Sequence, residues 1–218
     1  MENFFSPDNP LLQFLEKIAD FMIVSLLTVL FSLPVFTIGA AVVACHKTMQ
    51  NKVMANEQPI SQAFFRAFRE NFKQATIFWL LALLVVAILV GDFTLTYHYF
   101  NKVWVTPLYI MLFIVGFIAL GIISYMFPLM ARYQNTLKQH LKNSFYLTLS
   151  YLPRTILILL VCSSPVLLVL ILPRQLFLIF MLWILIGIGL ITYLHSLLLN
   201  PIFGVLEETE DETETVKS

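Results

Sequence analysis

Five apolar runs, at 21–44, 75–97, 107–130, 155–172 and 176–199, dominate this chain and limit what it can fold into. A helix needs roughly 20 apolar residues to cross a ~30 Å hydrocarbon core, and each run comes close to that length. Inside lipid every backbone N–H and C=O must find its partner within the protein, which leaves helices or closed barrels. Barrel strands alternate apolar and polar residues, whereas Leu80-Leu81-Ala82-Leu83-Leu84-Val85-Val86 does not alternate. Only 12% of the 218 residues are charged, against about 25% in a soluble domain. So few charges cannot cover a water-facing exterior. The expected fold is all-α: a polytopic membrane bundle of five transmembrane helices over residues 1–205.

The net charge of zero hides an asymmetry. With the N-terminus outside, Lys47, Lys52, Arg66, Arg69, Lys73, Arg132, Lys138, Lys142, Arg154 and Lys217 fall on the cytoplasmic side. Lys17, Lys102 and Arg174 fall outside. Cytoplasmic loops carry the excess of Lys and Arg, so an N-out, C-in topology is expected. The first 16 residues lack the basic start of a signal peptide, and none is expected. Residues 206–218 put six acids into eight positions from Glu207 to Glu214, which reads as a disordered cytoplasmic tail.

The connections carry patterns of their own. Asn9-Pro10 has the form of a helix start. Between Ser61 and Gln74, Phe64, Phe68 and Phe72 recur every fourth residue opposite Arg66, Arg69 and Lys73. Such a helix suits either the headgroup plane or packing against the inner ends of the bundle, and it leads into the second span like an elbow. Leu137, Leu141, Phe145, Leu149 and Leu152 form a second apolar face, with Lys138, Gln139, His140, Lys142 and Asn143 facing away. Span, basic amphipathic helix and span thus occur twice, the pattern of a degenerate tandem repeat. Tyr97, Tyr99, Trp104 and Tyr109 would form the outer aromatic belt, with Trp79, Tyr133, Tyr146 and Tyr151 at the inner surface.

No H-E-x-x-H, G-x-G-x-x-G, Walker loop or G-x-S-x-G occurs, so no enzyme activity and no catalytic residue are expected. His46, His98, His140 and His195 lack metal-ligand spacing, Cys45 and Cys162 lack C-x-x-C spacing, and no metal or cofactor is expected. His46 and His195 fall at inner helix ends, where hydrogen-bonded interfacial histidines are common. Pro34, followed by Thr37 and Gly39, interrupts the first run. It reads either as a packing kink or as a broken helix lining a polar cavity. Asp92 is the acid within a span, where a charge is costly and often functional. The alternative is a structural ion pair with Lys102 or Arg174. Asp20 is its companion at the outer mouth. Asp20, Pro34, Thr37, Gly39 and Asp92 are therefore the candidate polar path. Arg66, Arg69, Lys73, Arg132, Lys138 and Lys142 form a candidate cytoplasmic contact surface.

Four segments together resemble the YesL-type family of bacterial integral membrane proteins. They are Phe5-Ser6-Pro7-Asp8-Asn9-Pro10, Leu33-Pro34-Val35-Phe36-Thr37-Ile38-Gly39-Ala40, Phe64-Phe65-Arg66-Ala67-Phe68-Arg69-Glu70-Asn71-Phe72-Lys73-Gln74-Ala75 and Phe127-Pro128-Leu129-Met130-Ala131-Arg132-Tyr133. The similarity runs to about residue 155 and leaves out the acidic tail. Members are often encoded beside carbohydrate-uptake and polysaccharide-degradation systems, so the resemblance implies a supporting role in sugar utilisation and a place in a bacterial plasma membrane. It brings no activity and no catalytic residue. The leading expectation is a non-enzymatic accessory that touches lipid and a sugar-transport or regulatory membrane protein, and no nucleic acid. The rival is a small-molecule transporter or channel.

Overall fold

The computed structural model describes residues 10–54, 58–99 and 102–215, with side chains over 12–54, 58–96 and 106–204. The Asn9 cap, the side chains of Tyr97, Tyr99, Lys102 and Trp104, and the acidic side chains of the tail lie outside the described residues.

Eight α-helices follow in chain order among the described residues: α1 (Pro10–Phe31), α2 (Ile38–Val53), α3 (Ile60–Tyr99), α4 (Lys102–Arg132), α5 (Leu137–Ser150), α6 (Leu152–Ile171), α7 (Leu176–Leu182) and α8 (Ile188–Thr215). Four helical stretches are long and apolar enough to cross a membrane: Ile60–Thr96, Thr106–Arg132, Leu152–Ile171 and Pro173–Gly204. The last of these joins α7 to α8 through the π-helical turn Trp183–Gly187.

The expected fifth span, 21–44, is instead a hairpin. Leu33 precedes a proline and so avoids helical backbone, and Pro34 has no N–H to give the carbonyl of Leu30. The chain turns through a short 3₁₀ segment, Val35–Thr37, and returns as α2. The Thr37 hydroxyl lies 2.6 Å from the Phe31 carbonyl and 2.7 Å from that of Pro34, closing the turn. At the open end of the hairpin Lys52 Nζ meets Asp20 Oδ2 at 2.7 Å. A single span would have set those two residues on opposite membrane faces.

Small side chains bring α2 into the middle of the bundle, where Gly39, Ala40, Ala41 and Ala44 are buried. It packs against α1, α3, α4 and α8. Three apolar clusters result. Val24, Met49, Phe64 and Ala67 join α1, α2 and α3. Ala40, Val43, Phe78 and Met126 join α2, α3 and α4. Tyr125, Leu147, Ile158 and Leu199 join α4, α5, α6 and α8. All three lie towards the end of the bundle that carries the hairpin base and the Arg132 terminus of α4. At the other end, Leu84, Ile88, Phe113, Leu170 and Phe177 are exposed. In lipid such a face is solvated, so exposure there costs nothing.

The two amphipathic stretches differ in build. Residues 61–74 run on into the second span as the start of one unbroken α3. Phe31 packs its ring against Phe64, Phe65 and Phe68 at 5.9, 5.3 and 4.9 Å, so of the two readings core packing is the one observed. The stretch after α4 is a separate helix, α5, so the two units do not share one architecture. On α5 Lys138, Gln139 and Lys142 are exposed as expected, but His140 is buried with Ser144, Leu147 and Thr148, while Leu141, Phe145 and Leu149 are exposed as well. The reason is local. Ser144 and Thr148 satisfy their hydroxyls within the helix, on the carbonyls of His140 and Ser144 at 2.8 and 2.7 Å. Their small side chains can then press onto Gly121 and Met126 of α4. The apolar face is left for lipid.

Helix α8 runs on to Thr215 where a disordered tail is expected from 206. Glu is a good helix former, and extending an existing helix avoids the cost of nucleation.

Candidate functional site

The expected polar path does not assemble. Asp20 is paired with Lys52 and faces a cavity of about 220 Å³ that Glu16, Lys17 and Tyr193 also line. Pro34 and Thr37 form the hairpin turn. Gly39 is a contact point: a Cβ there would meet the Ala75 carbonyl oxygen at 2.5 Å and Trp79 Cβ at 2.6 Å. The Trp79 indole N–H donates to the Val35 carbonyl at 2.9 Å, so the same tryptophan holds the hairpin tip. Asp92 is exposed, near the far end of α3, and forms no ion pair among the described residues. At 1.5 Å per residue it lies about 48 Å along α3 from Ile60, at the opposite end from Asp20. Between α3 and α4 near that end runs an apolar groove of about 870 Å³, lined by Val90, Phe93, Tyr109, Phe113, Gly116 and Phe117, and Asp92 is not part of its wall.

The contact-surface residues do gather, all at the hairpin end. Arg69 and Lys73 are exposed on α3. Arg66 Nε donates to Glu70 Oε1 at 3.0 Å, one turn along the same helix. Lys138 and Lys142, with Thr136, Gln139 and Asn143, rim a shallow recess of about 300 Å³. Arg132 differs from these in being held inside the bundle. Its Nη1 donates to Asn200 Oδ1 at 3.3 Å and its guanidinium lies 5.0 Å from the centre of the Phe203 ring, so it ties α4 to α8. Lys47, half-buried on α2, belongs to the same end. Burial pushes its pKa below the usual lysine range, with Glu70 opposing that fall and Arg132 and Arg66 adding to it.

A second polar group, unexpected from the sequence, lies along α2. Cys45, His46, Thr48, Gln50 and Asn51 are buried there, and Thr192, His195 and Ser196 of α8 are buried too. Cys45 Sγ is 3.4 Å from Thr192 Oγ1, and Gln50 Nε2 donates to the Pro128 carbonyl at 3.0 Å. Beyond the π turn, the backbone N–H of Gly189 donates to Ser25 Oγ at 2.9 Å. This bond stitches α8 to α1, as π-helical turns allow by disturbing the regular hydrogen-bond ladder. His46 and His195, separated by 149 positions, meet edge-on with ring centres 5.1 Å apart. No spacing rule could pair them, because the hairpin alone brings α2 beside α8.

His140 is buried between α5 and α4, and burial lowers its pKa from the ordinary value. Below about pH 6.5 the unfolded chain takes up a proton that the folded one refuses. Stability is therefore expected to fall as pH drops through that value. His140→Gln should flatten part of the slope in detergent melts scanned across it, and equal slopes for both proteins would refute the assignment.

These elements define a helical membrane protein with a hairpin whose second arm is buried and with one basic end. The family described as "Protein of unknown function, DUF624" matches residues 21–93, which cover the hairpin from the second half of α1 onwards and most of α3. No curated protein and no solved structure matches the chain.

Proposed function

We propose that this chain is a non-enzymatic component of a bacterial plasma membrane that docks a partner on its basic end in support of carbohydrate uptake or utilisation. One observation carries the docking half: Arg69, Lys73, Lys138 and Lys142 are all exposed at one end of an otherwise apolar molecule. Of the residues that a transport path would use, Pro34 and Thr37 are taken up by the hairpin turn, Gly39 by helix packing and Asp20 by its pair with Lys52, while Asp92 stands exposed at the far end. The carbohydrate half rests on the resemblance to the YesL-type family.

The orientation proposed with it follows from the hairpin. Counting residues 10–53 as one hairpin moves Lys17 to the side of Lys47, Lys52 and Arg132. Of the basic residues in the described chain, Lys102 and Arg174 then stand alone at the far end. Under the positive-inside rule both termini are cytoplasmic, in place of an outside N-terminus. The basic end then faces the anionic leaflet, where each Lys or Arg near the surface adds about 1 kcal/mol of attraction. The exposed apolar residues Leu141 and Phe145 of α5 would seat that end in the headgroup region.

The test is affinity purification in mild detergent from cells grown on complex glycans. The wild-type chain is expected to recover a component of a sugar-transport system. Lys138→Glu combined with Lys142→Glu should reduce that recovery several-fold at unchanged abundance. Recovery of no transport component by the wild-type chain removes the proposal.

A further inference from the structure

The seam between α2 and α8 holds polar atoms for which partner docking has no use. Among the described residues, His46 Nδ1, His195 Nε2 and Gln50 Oε1 are each buried without a hydrogen-bond partner. A buried polar atom left unpaired costs roughly 1–3 kcal/mol, so three in one region call for an explanation. All three can serve as acceptors. A neutral imidazole has one nitrogen with a free lone pair. The Gln50 amide cannot be turned round, because its NH₂ must face the Pro128 carbonyl, so its oxygen is left as an acceptor. His46 and Gln50 stand four residues apart and share a face of α2. In the tautomers that leave lone pairs on His46 Nδ1 and His195 Nε2, these are acceptors without donors, and such a set attracts a cation.

The spacing narrows the choice. Two imidazoles, each about 2.0–2.1 Å from one tetrahedral ion, place their ring centres about 5 Å apart. The observed separation is 5.1 Å. Imidazole nitrogen suits zinc and its first-row neighbours, whereas magnesium and calcium prefer a shell of oxygens.

We infer that His46 and His195 form a buried site for one divalent first-row transition ion, zinc foremost, with Gln50 Oε1 as a weaker third ligand. The ion would tie the returning arm of the hairpin to the last membrane helix. Loss of the metal would loosen α2 from α8, independently of what docks on the basic surface.

The experiment uses full-length protein with any affinity tag removed, purified in mild detergent and stripped with a chelator. After zinc titration and desalting, metal per chain is counted by mass spectrometry. One zinc per wild-type chain is expected. His46→Gln and His195→Gln should each bind at least about tenfold more weakly, the low end of what even a supporting residue contributes to a metal site. His140→Gln, which alters a buried histidine elsewhere, should bind as wild type does. Because a change in the seam can unfold the chain, Co²⁺ added to the wild-type protein gives a reading that needs no variant. Ligand-field bands of four- or five-coordinate cobalt with nitrogen ligands are expected. No retained zinc, equal binding by the two seam variants, or the spectrum of fully hydrated cobalt overturns the site.

Discussion

Replacing Gly39 by leucine is expected to prevent accumulation of folded protein, and Gly39→Ala to lower stability by roughly 1–3 kcal/mol, as overpacking of a closed contact does. The two atoms that a new Cβ would meet are the Ala75 carbonyl oxygen at 2.5 Å and Trp79 Cβ at 2.6 Å. Both belong to the α3 rod or its immediate root, so neither can swing aside as a side-chain tip could. Relief requires α2 to move away from α3, which opens the cluster of Ala40, Val43, Ala75 and Phe78. It would also strain the Trp79–Val35 bond at the hairpin tip. Gly116→Ala is the control, because nothing lies within 4 Å of the position a Cβ would take. Melting curves in detergent decide the matter. If Gly39→Ala melts with wild type and with Gly116→Ala, the close approach of α2 to α3 is not what holds the hairpin.

Such close contacts show what the sequence made legible. Long unbroken runs such as Leu80–Val86 specify helices in lipid almost by themselves, because backbone satisfaction leaves little choice. Four crossing-length helices duly appear. The run at 21–44 misled because hydropathy counts residues without asking whether the helix continues through them. Pro34 was visible, but a kink and a reversal look the same in one dimension. What separates them is the sequel: Gly39, Ala40, Ala41 and Ala44 form a small-residue face that lets a returning helix nest among its neighbours. The polar stretch Cys45 to Lys52 then continues α2, although its composition reads as a loop.

The packing surface of α5 was hard to read for a related reason. In water the apolar side of an amphipathic helix goes inwards, and Leu141, Phe145 and Leu149 would mark the core. Beside lipid the apolar side is the solvent side, and the small hydroxyl residues Ser144 and Thr148 become the packing surface. The basic residues were easier, since a surface cation needs only the right end of a helix and no partner. Arg132 is the exception, and its bond to Asn200 depends on the packing of α4 against α8. The seam of His46, Gln50 and His195 was illegible on the same ground.

The reversal at Pro34 carries the largest topological consequence, and thiols placed at Asp20 and Lys52 are expected to expose it. With Asp20→Cys and Lys52→Cys in a Cys162→Ser background, a short bifunctional thiol reagent should link the two sites within one chain. The native pair holds those side chains 2.7 Å apart, at the open end of the hairpin. Cys162 is replaced because it is exposed, whereas Cys45 is buried and can stay. A membrane-impermeant maleimide applied from either side of oriented vesicles should then reach both thiols from the same side. A cysteine at Arg174, in the turn between α6 and α7, should react from the opposite side. The ion pair itself is not the reason for the expected result, since a partly exposed pair contributes at most about 1 kcal/mol. The turn, the nesting of α2 and the Phe31 ring cluster hold the two ends together without it. Labelling of positions 20 and 52 from opposite sides would restore a single crossing over 21–44. It would also part the two arms of the hairpin and return the first twenty residues to the far side of the membrane.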